Sequence, residues 1–140
     1  MKQEEIHFNS TLTDRVVSFY VKYAKEHKED FPALETARDN LLRAALWAWE
    51  NKAWEAVHDL WEALDPWLDA TGDWSNLKAL QEHAVQANRQ LQNREIELAK
   101  VLTSRSTYFE LMGQIAAALS DAQETRDLGY KVGDPKTIVN

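Results

Sequence analysis

The sequence predicts an all-α protein of about six helices arranged as antiparallel hairpins, and three observations carry that expectation. Turn residues are scarce: 140 residues hold four Gly and three Pro, whereas a strand-rich fold needs turn signals about every 8–12 positions. Break signals recur on an even beat, at Asn51-Lys52, Gly72-Asp73, Gln92-Asn93, Gly113-Gln114 and Gly133-Asp134. Each interval of about twenty residues holds one helix and a short turn, so the larger repeat is a helix pair. The middle segments are also apolar on two faces, as expected of helices sandwiched between neighbours.

The elements follow in order. Residues 1–10 are expected to be a flexible start. The first helix is expected over 11–28, with Thr11 or Thr13 as cap and Asp14 near its positive end. The second, over 33–50, opens at Phe31-Pro32, because Pro in a first turn loses no needed hydrogen bond. The third, over 53–70, carries one stripe at Trp54, Val57, Trp61, Leu64 and Leu68 and another at Ala53, Ala56, Leu60, Ala63 and Trp67. Pro66 lies inside it and should bend or locally break it. Gly72 suits the left-handed residue that ends this helix, and Asp73 suits the cap of the next, over 74–91. Helices over 94–112 and 115–131 complete the set, the last with a weaker apolar pattern, and 133–140 form a tail.

Tyr20 to Asn93 resembles the helical segment of bacterial STAND-type signalling ATPases (NB-ARC/AAA-linked), in which tetratricopeptide-like (TPR-like) repeats follow the nucleotide-binding module. The residues that carry the likeness are Asp39-Asn40-Leu41-Leu42-Arg43-Ala44-Ala45, the Trp47-Ala48-Trp49 cluster, and the stretch from Leu64 to Trp74. Ala99 to Val132 resembles a single TPR unit, with Ser106 and Ala118 as its small residues, Phe109 as its aromatic and Gly113 as its turn. Arg105 departs from that pattern at a site that is usually apolar, and Ala122 at one that is usually larger. The resemblance implies one domain over 1–140, built as a short right-handed superhelix. It also implies a scaffold for signal transduction that binds a protein or peptide on its concave face. The ATPase itself is absent, since no G-x-x-x-x-G-K-[ST] loop occurs.

Composition narrows the function classes. With no Cys, the chain has no disulfide framework, thiolate metal site or thiol nucleophile. A net charge of −7 is a poor match to nucleic acid, which requires clustered Lys or Arg. The longest apolar run, Ala44 to Trp49, is far shorter than the roughly 20 residues of a membrane span. The start, Met1-Lys2-Gln3-Glu4-Glu5, has no apolar signal core. A cytoplasmic protein with neither membrane nor nucleic-acid partner is expected, with the terminal helices as places for self-association.

The chemical constellations are few. Glu55-Ala56-Val57-His58 has the E-x-x-H spacing of di-iron bundles, but such sites need a second copy and further carboxylates. His7, His27 and His83 lack a Glu at that spacing, so neither metal nor cofactor is expected, and His58 is read as a half-buried helix residue. No Ser or His stands in a nucleophile setting, and no enzyme is expected. All six Trp fall between 47 and 74, where indoles fill gaps between long helices. Trp67, beside Pro66, is the candidate for contact with a partner.

Charge distribution singles out one segment. Residues 41–75 carry Arg43 and Lys52 against seven acidic residues, a local balance of −5. Glu55, Asp59, Glu62 and Asp69 are spaced to share one helix face. With Trp67 they are the candidate binding residues, and the partner they suit is basic. The resemblance would turn Asp59, Glu62 and Asp69 to the concave side. A second reading stays open: a compact bundle holding a small apolar ligand in a Trp-rich pocket.

Overall fold

A computed structural model of the chain describes residues 2–133, with side chains from residue 12 onward. The expected tail over 133–140 lies outside the described residues apart from Gly133. Seven helices and no strand occur among the described residues: α1 Lys2–Glu26, α2 Phe31–Thr36, α3 Arg38–Glu50, α4 Trp54–Thr71, α5 Trp74–Gln90, α6 Glu95–Leu111 and α7 Ile115–Val132. The chain divides into two compact units, Met1–Leu77 and Lys78–Asn140. None of the helices is long and apolar enough to cross a membrane among the described residues.

The even beat has a common backbone cause. Lys52, Gly72, Asn93, Gly113 and Gly133 all adopt positive φ, between 57° and 76°. At three of these ends the amide after the left-handed residue reaches back to a carbonyl five residues earlier: Ala53 to Ala48 at 2.9 Å, Asp73 to Leu68 at 3.0 Å and Gln114 to Phe109 at 2.8 Å. That bond is the signature of a Schellman close, which satisfies carbonyls that a helix end would otherwise leave bare. Each of these turns is therefore tight.

Two expected boundaries differ. The helix expected over 33–50 is broken at Ala37, whose φ of −98° and ψ of 13° leave helical geometry between α2 and α3. Here the Ala37 amide divides itself between the carbonyls of Ala33 and Leu34, so the first piece tightens before the second begins. In turn α1 starts at Lys2 rather than near 11. Asp30 caps α2 by accepting from the Ala33 amide at 3.2 Å, and Pro32 sits in the first turn as expected. Through Pro66, α4 runs unbroken.

In the first unit α1 packs on α3 and α4, and α3 packs on α4. Its core is Val17 and Ala24 from α1, Leu34 from α2, Leu41, Ala44 and Ala48 from α3, and the greater part of the two α4 stripes. Val57, Leu60, Trp61, Ala63, Leu64, Trp67 and Leu68 are all buried. Burial on two faces is what the double stripe requires.

The second unit is held by α6 against α7, with side-chain links to α5. Leu80, Ala84, Val85, Ala87, Leu98, Val101 and Leu102 form its apolar core. Polar groups thread this core: the Gln81 amide donates to Ser104 Oγ at 3.0 Å, and Asn88 donates to the Ala84 carbonyl at 2.9 Å. Ser106 Oγ donates to the Ala118 carbonyl at 2.9 Å, joining α6 to α7. Arg105, the departure from that pattern, meets the buried Asp121 through two bonds of 2.8 Å.

Candidate functional site

The structure opens one described groove in the first unit, between α1 and α4, with a volume of about 620 Å³. Ser18, Val21, Lys22, Lys25 and Glu26 line it from α1, and Glu55, Ala56 and Asp59 line it from α4. On α1 these residues recur at helical spacings of three and four, and on α4 Glu55 and Asp59 stand one turn apart. Both sets therefore face one another across the α1–α4 contact. Val21 and Ala56 supply the apolar part, and the remainder of the wall is charged or hydroxylic.

Cross-helix pairing organises the charges. Lys25 Nζ lies 3.1 Å from Asp59, and Lys22 Nζ lies 3.9 Å from Glu26 one turn along α1. The Lys22–Glu26 pair is exposed and the Lys25–Asp59 pair partly so, and each contributes no more than about 1 kcal/mol. With two lysines against three carboxylates, the groove is acidic on balance. Glu55 is exposed at its α4 wall.

The five candidate binding residues therefore separate. Glu55 and Asp59 share the groove. Glu62 and Asp69 are exposed on α4 but do not line it. The carboxylate of Glu62 lies 3.8 Å from Nε2 of His58, which is itself buried and tilted against Trp61 at 5.5 Å between rings. Trp67 is enclosed, with 0% of its surface exposed.

A polar clasp surrounds Trp67. The indole Nε1 donates to Glu35 at 3.2 Å, and the Arg38 guanidinium lies 4.6 Å from the ring centroid. Arg38 also donates to both oxygens of Glu35, at 2.8 and 2.7 Å, and pairs with Asp73. Asp73 in turn caps α5 by accepting from the Asn76 amide and side chain. The hydrogen bonds from Arg38 hold the Glu35 carboxyl below its ordinary range. Burial pushes Asp73 upward, but the bonds from Asn76 and Arg38 outweigh it and leave that carboxyl lowered too. A flat cation over an indole, fixed by two carboxylates, makes a rigid structural corner.

Of the five residues chosen from spacing along α4, Glu55 and Asp59 line the groove, and nothing in the sequence pointed to its α1 wall. Lys25 and Asp59 are 34 positions apart, and no local pattern announces a pair between helices. Arg38 and Asp73 are hidden for the same reason. Arg105 and Asp121, sixteen positions apart on α6 and α7, are hidden likewise. The other five Trp divide by depth: Trp61 is buried with its Nε1 bonded to Asp65 at 2.8 Å, Trp47, Trp49 and Trp54 are half-buried, and Trp74 is 37% exposed. None of the six lines the groove. Neither a protein-family model, nor a curated protein, nor a solved structure matches the chain.

Proposed function

We propose that the chain is a non-enzymatic helical recognition module that takes a basic peptide or protein segment along the α1–α4 groove. The observation that carries this reading is the placement of Glu55 and Asp59, from the acid-rich α4, opposite Lys22, Lys25 and Glu26 over an apolar strip of Val21 and Ala56. A helical segment with cations one turn apart would exchange with Lys25 for Asp59 and reach Glu55 directly. Apolar side chains between those cations would cover Val21 and Ala56. The groove is within the roughly 300–1,000 Å³ typical of binding clefts, and its charge favours encounter with cations at low salt.

The TPR-like superhelix and an origin in a STAND-type regulator belong to the same proposal. Support for them comes from the Asn-Leu and Trp-rich blocks of the sequence and from the meeting of Ser106 with Ala118 in the α6–α7 hairpin. In that setting the module would be a cytoplasmic scaffold in signal transduction.

Isothermal titration with two designed helical peptides of equal length tests the reading, one with Lys at i and i+4 and one with Glu there. The Lys peptide should bind, and binding should weaken as salt rises from about 50 to 500 mM. Glu55→Lys and Val21→Glu should each reduce its affinity at least about tenfold while the helical circular dichroism stays unchanged. Equal binding of both peptides, or no response to either substitution, overturns the proposal.

A further inference from the structure

The outer face of α7 contradicts its inner one. Facing α5 and α6, α7 buries Ala118, Asp121, Thr125 and Gly129, which are small or polar. On the flank about a quarter turn away it exposes Ile115 at 52%, Leu119 at 64% and Tyr130 at 65%. A solvent-facing helix normally shows the reverse, with large apolar groups inward and charges outward. Leu111 and Met112 are also exposed, at the turn that leads into α7. From Leu111 to Ser120 no residue carries a charge. These five side chains present on the order of 400 Å² of apolar surface, the size of the largest patch on an ordinary monomer, which is often functional.

We propose that this face of α7 pairs with the same face of a second copy, the two helices running antiparallel and crossing beside Ala122. Three features select a second copy as the occupant. Ile115, Leu119, Ala122 and Arg126 follow the 4-3-4 spacing of a helix–helix seam, with Tyr130 continuing the stripe. The stripe is also self-complementary under a two-fold axis between positions 122 and 123. Ile115 then faces the second copy's Tyr130 at both ends, and Leu119 lies under the aliphatic stem of the opposing Arg126. Small Ala122, exposed at the crossing, lets the helix axes approach closely. Finally, the uncharged run removes the repulsion that two chains of net charge −7 would feel elsewhere.

Size sets the strength. Within the α7–α7 overlap, the stripe from Ile115 to Tyr130 on two copies removes on the order of 600 Å² of apolar surface, well short of the roughly 1,200 Å² of a standard stable interface. The dimer is therefore weak, forming in the micromolar range and above.

Because the chain has no Cys, single cysteines report the geometry cleanly. Sedimentation velocity on the full chain from about 1 to 300 µM should show a monomer–dimer equilibrium. Leu119→Lys should shift its midpoint upward at least about tenfold, and Ile115→Lys should do the same, with unchanged helical circular dichroism. Under mild oxidation Ala122→Cys should crosslink to a dimer. Tyr130→Cys should not, since antiparallel pairing separates the two copies of that position by about fifteen residues of helix, roughly 22 Å. A monomer across the whole range would assign the face to a different occupant and overturn the proposal. Equal crosslinking at both positions, or a dimer indifferent to Leu119→Lys and Ile115→Lys, overturns it as well.

Discussion

Arg105 and Asp121 form a two-bond ion pair between α6 and α7, with both bonds at 2.8 Å and the Asp121 side chain 5% exposed. The Arg105 guanidinium also lies 5.5 Å from the Phe109 ring centroid. Bonding to Asp121 raises the Arg105 pKa against the opposing effect of burial. The Arg105 charge is thus answered by a carboxylate sixteen positions later in the facing helix.

Removing one partner of this pair should cost far more than removing both. Arg105→Leu leaves Asp121 charged and buried, and should lower stability by about 3–5 kcal/mol. Arg105→Leu with Asp121→Leu should recover most of that loss, since an apolar pair of similar volume suits the same space. Urea denaturation of the two single variants and the double variant measures the coupling. Additive losses would show that the pair is not energetically linked.

The left-handed turns make opposite predictions for different residue types. Gly72 at φ 72° should reject a β-branched side chain, and Gly72→Val should cost on the order of 1–2 kcal/mol. Lys52 at φ 57° already bears that strain with a Cβ, so Lys52→Gly should be neutral or stabilising by up to about 1 kcal/mol. Thermal melts of both variants check the pair of signs.

Trp67 should be a core residue in stability measurements. Trp67→Ala removes a fully buried indole and should cost about 3–5 kcal/mol through lost burial and a cavity. Its clasp also makes stability depend on acid. Glu35 and Asp73 have folded-state pKa values held below their ordinary ones. Their contribution is therefore complete above the ordinary carboxylate range and is lost as pH falls through the lowered folded values. Denaturation midpoints measured from pH 6 down to pH 2 should decline, and Glu35→Gln should flatten part of that decline.

His83 supplies a second window with the same direction. Burial lowers its pKa against the weaker upward pull of Glu82. A histidine held neutral in the fold stabilises above its ordinary value near 6.5 and loses that contribution as pH falls through the lowered one. His83→Gln should remove the decline that sets in as pH falls below about 6.5, which comparison of denaturation midpoints on either side of that pH would reveal.

Asp59 is a mild test of the α1–α4 pairing. Its bond to Lys25 is partly exposed, so Asp59→Ala should change stability by no more than about 1 kcal/mol. Exchanging the charges with Lys25→Asp and Asp59→Lys should restore the parent midpoint. Reversing Asp59 alone sets two lysines together and should be the least stable of the three.

Local chemistry is what the sequence determined by itself. The positions of the turns were legible because a left-handed residue or a cap is needed wherever a helix ends, whatever packs beside it. Gly72, Gly113 and Asp73 were recognisable on those grounds, and α4's double stripe announced a helix buried on two sides. The break at Ala37 was not legible, since no Gly or Pro marks it. The choice among partners belongs to tertiary structure alone. Lys25 for Asp59, Glu35 and Arg38 around Trp67, and Asp121 for Arg105 are all selected by helices brought together from distant parts of the chain. Packing likewise decided that Trp67 is enclosed, whereas Glu55 is open along the groove. Spacing along one helix fixes which side chains share a face, but only the neighbouring helix fixes whether that face meets water, a counter-charge or a core.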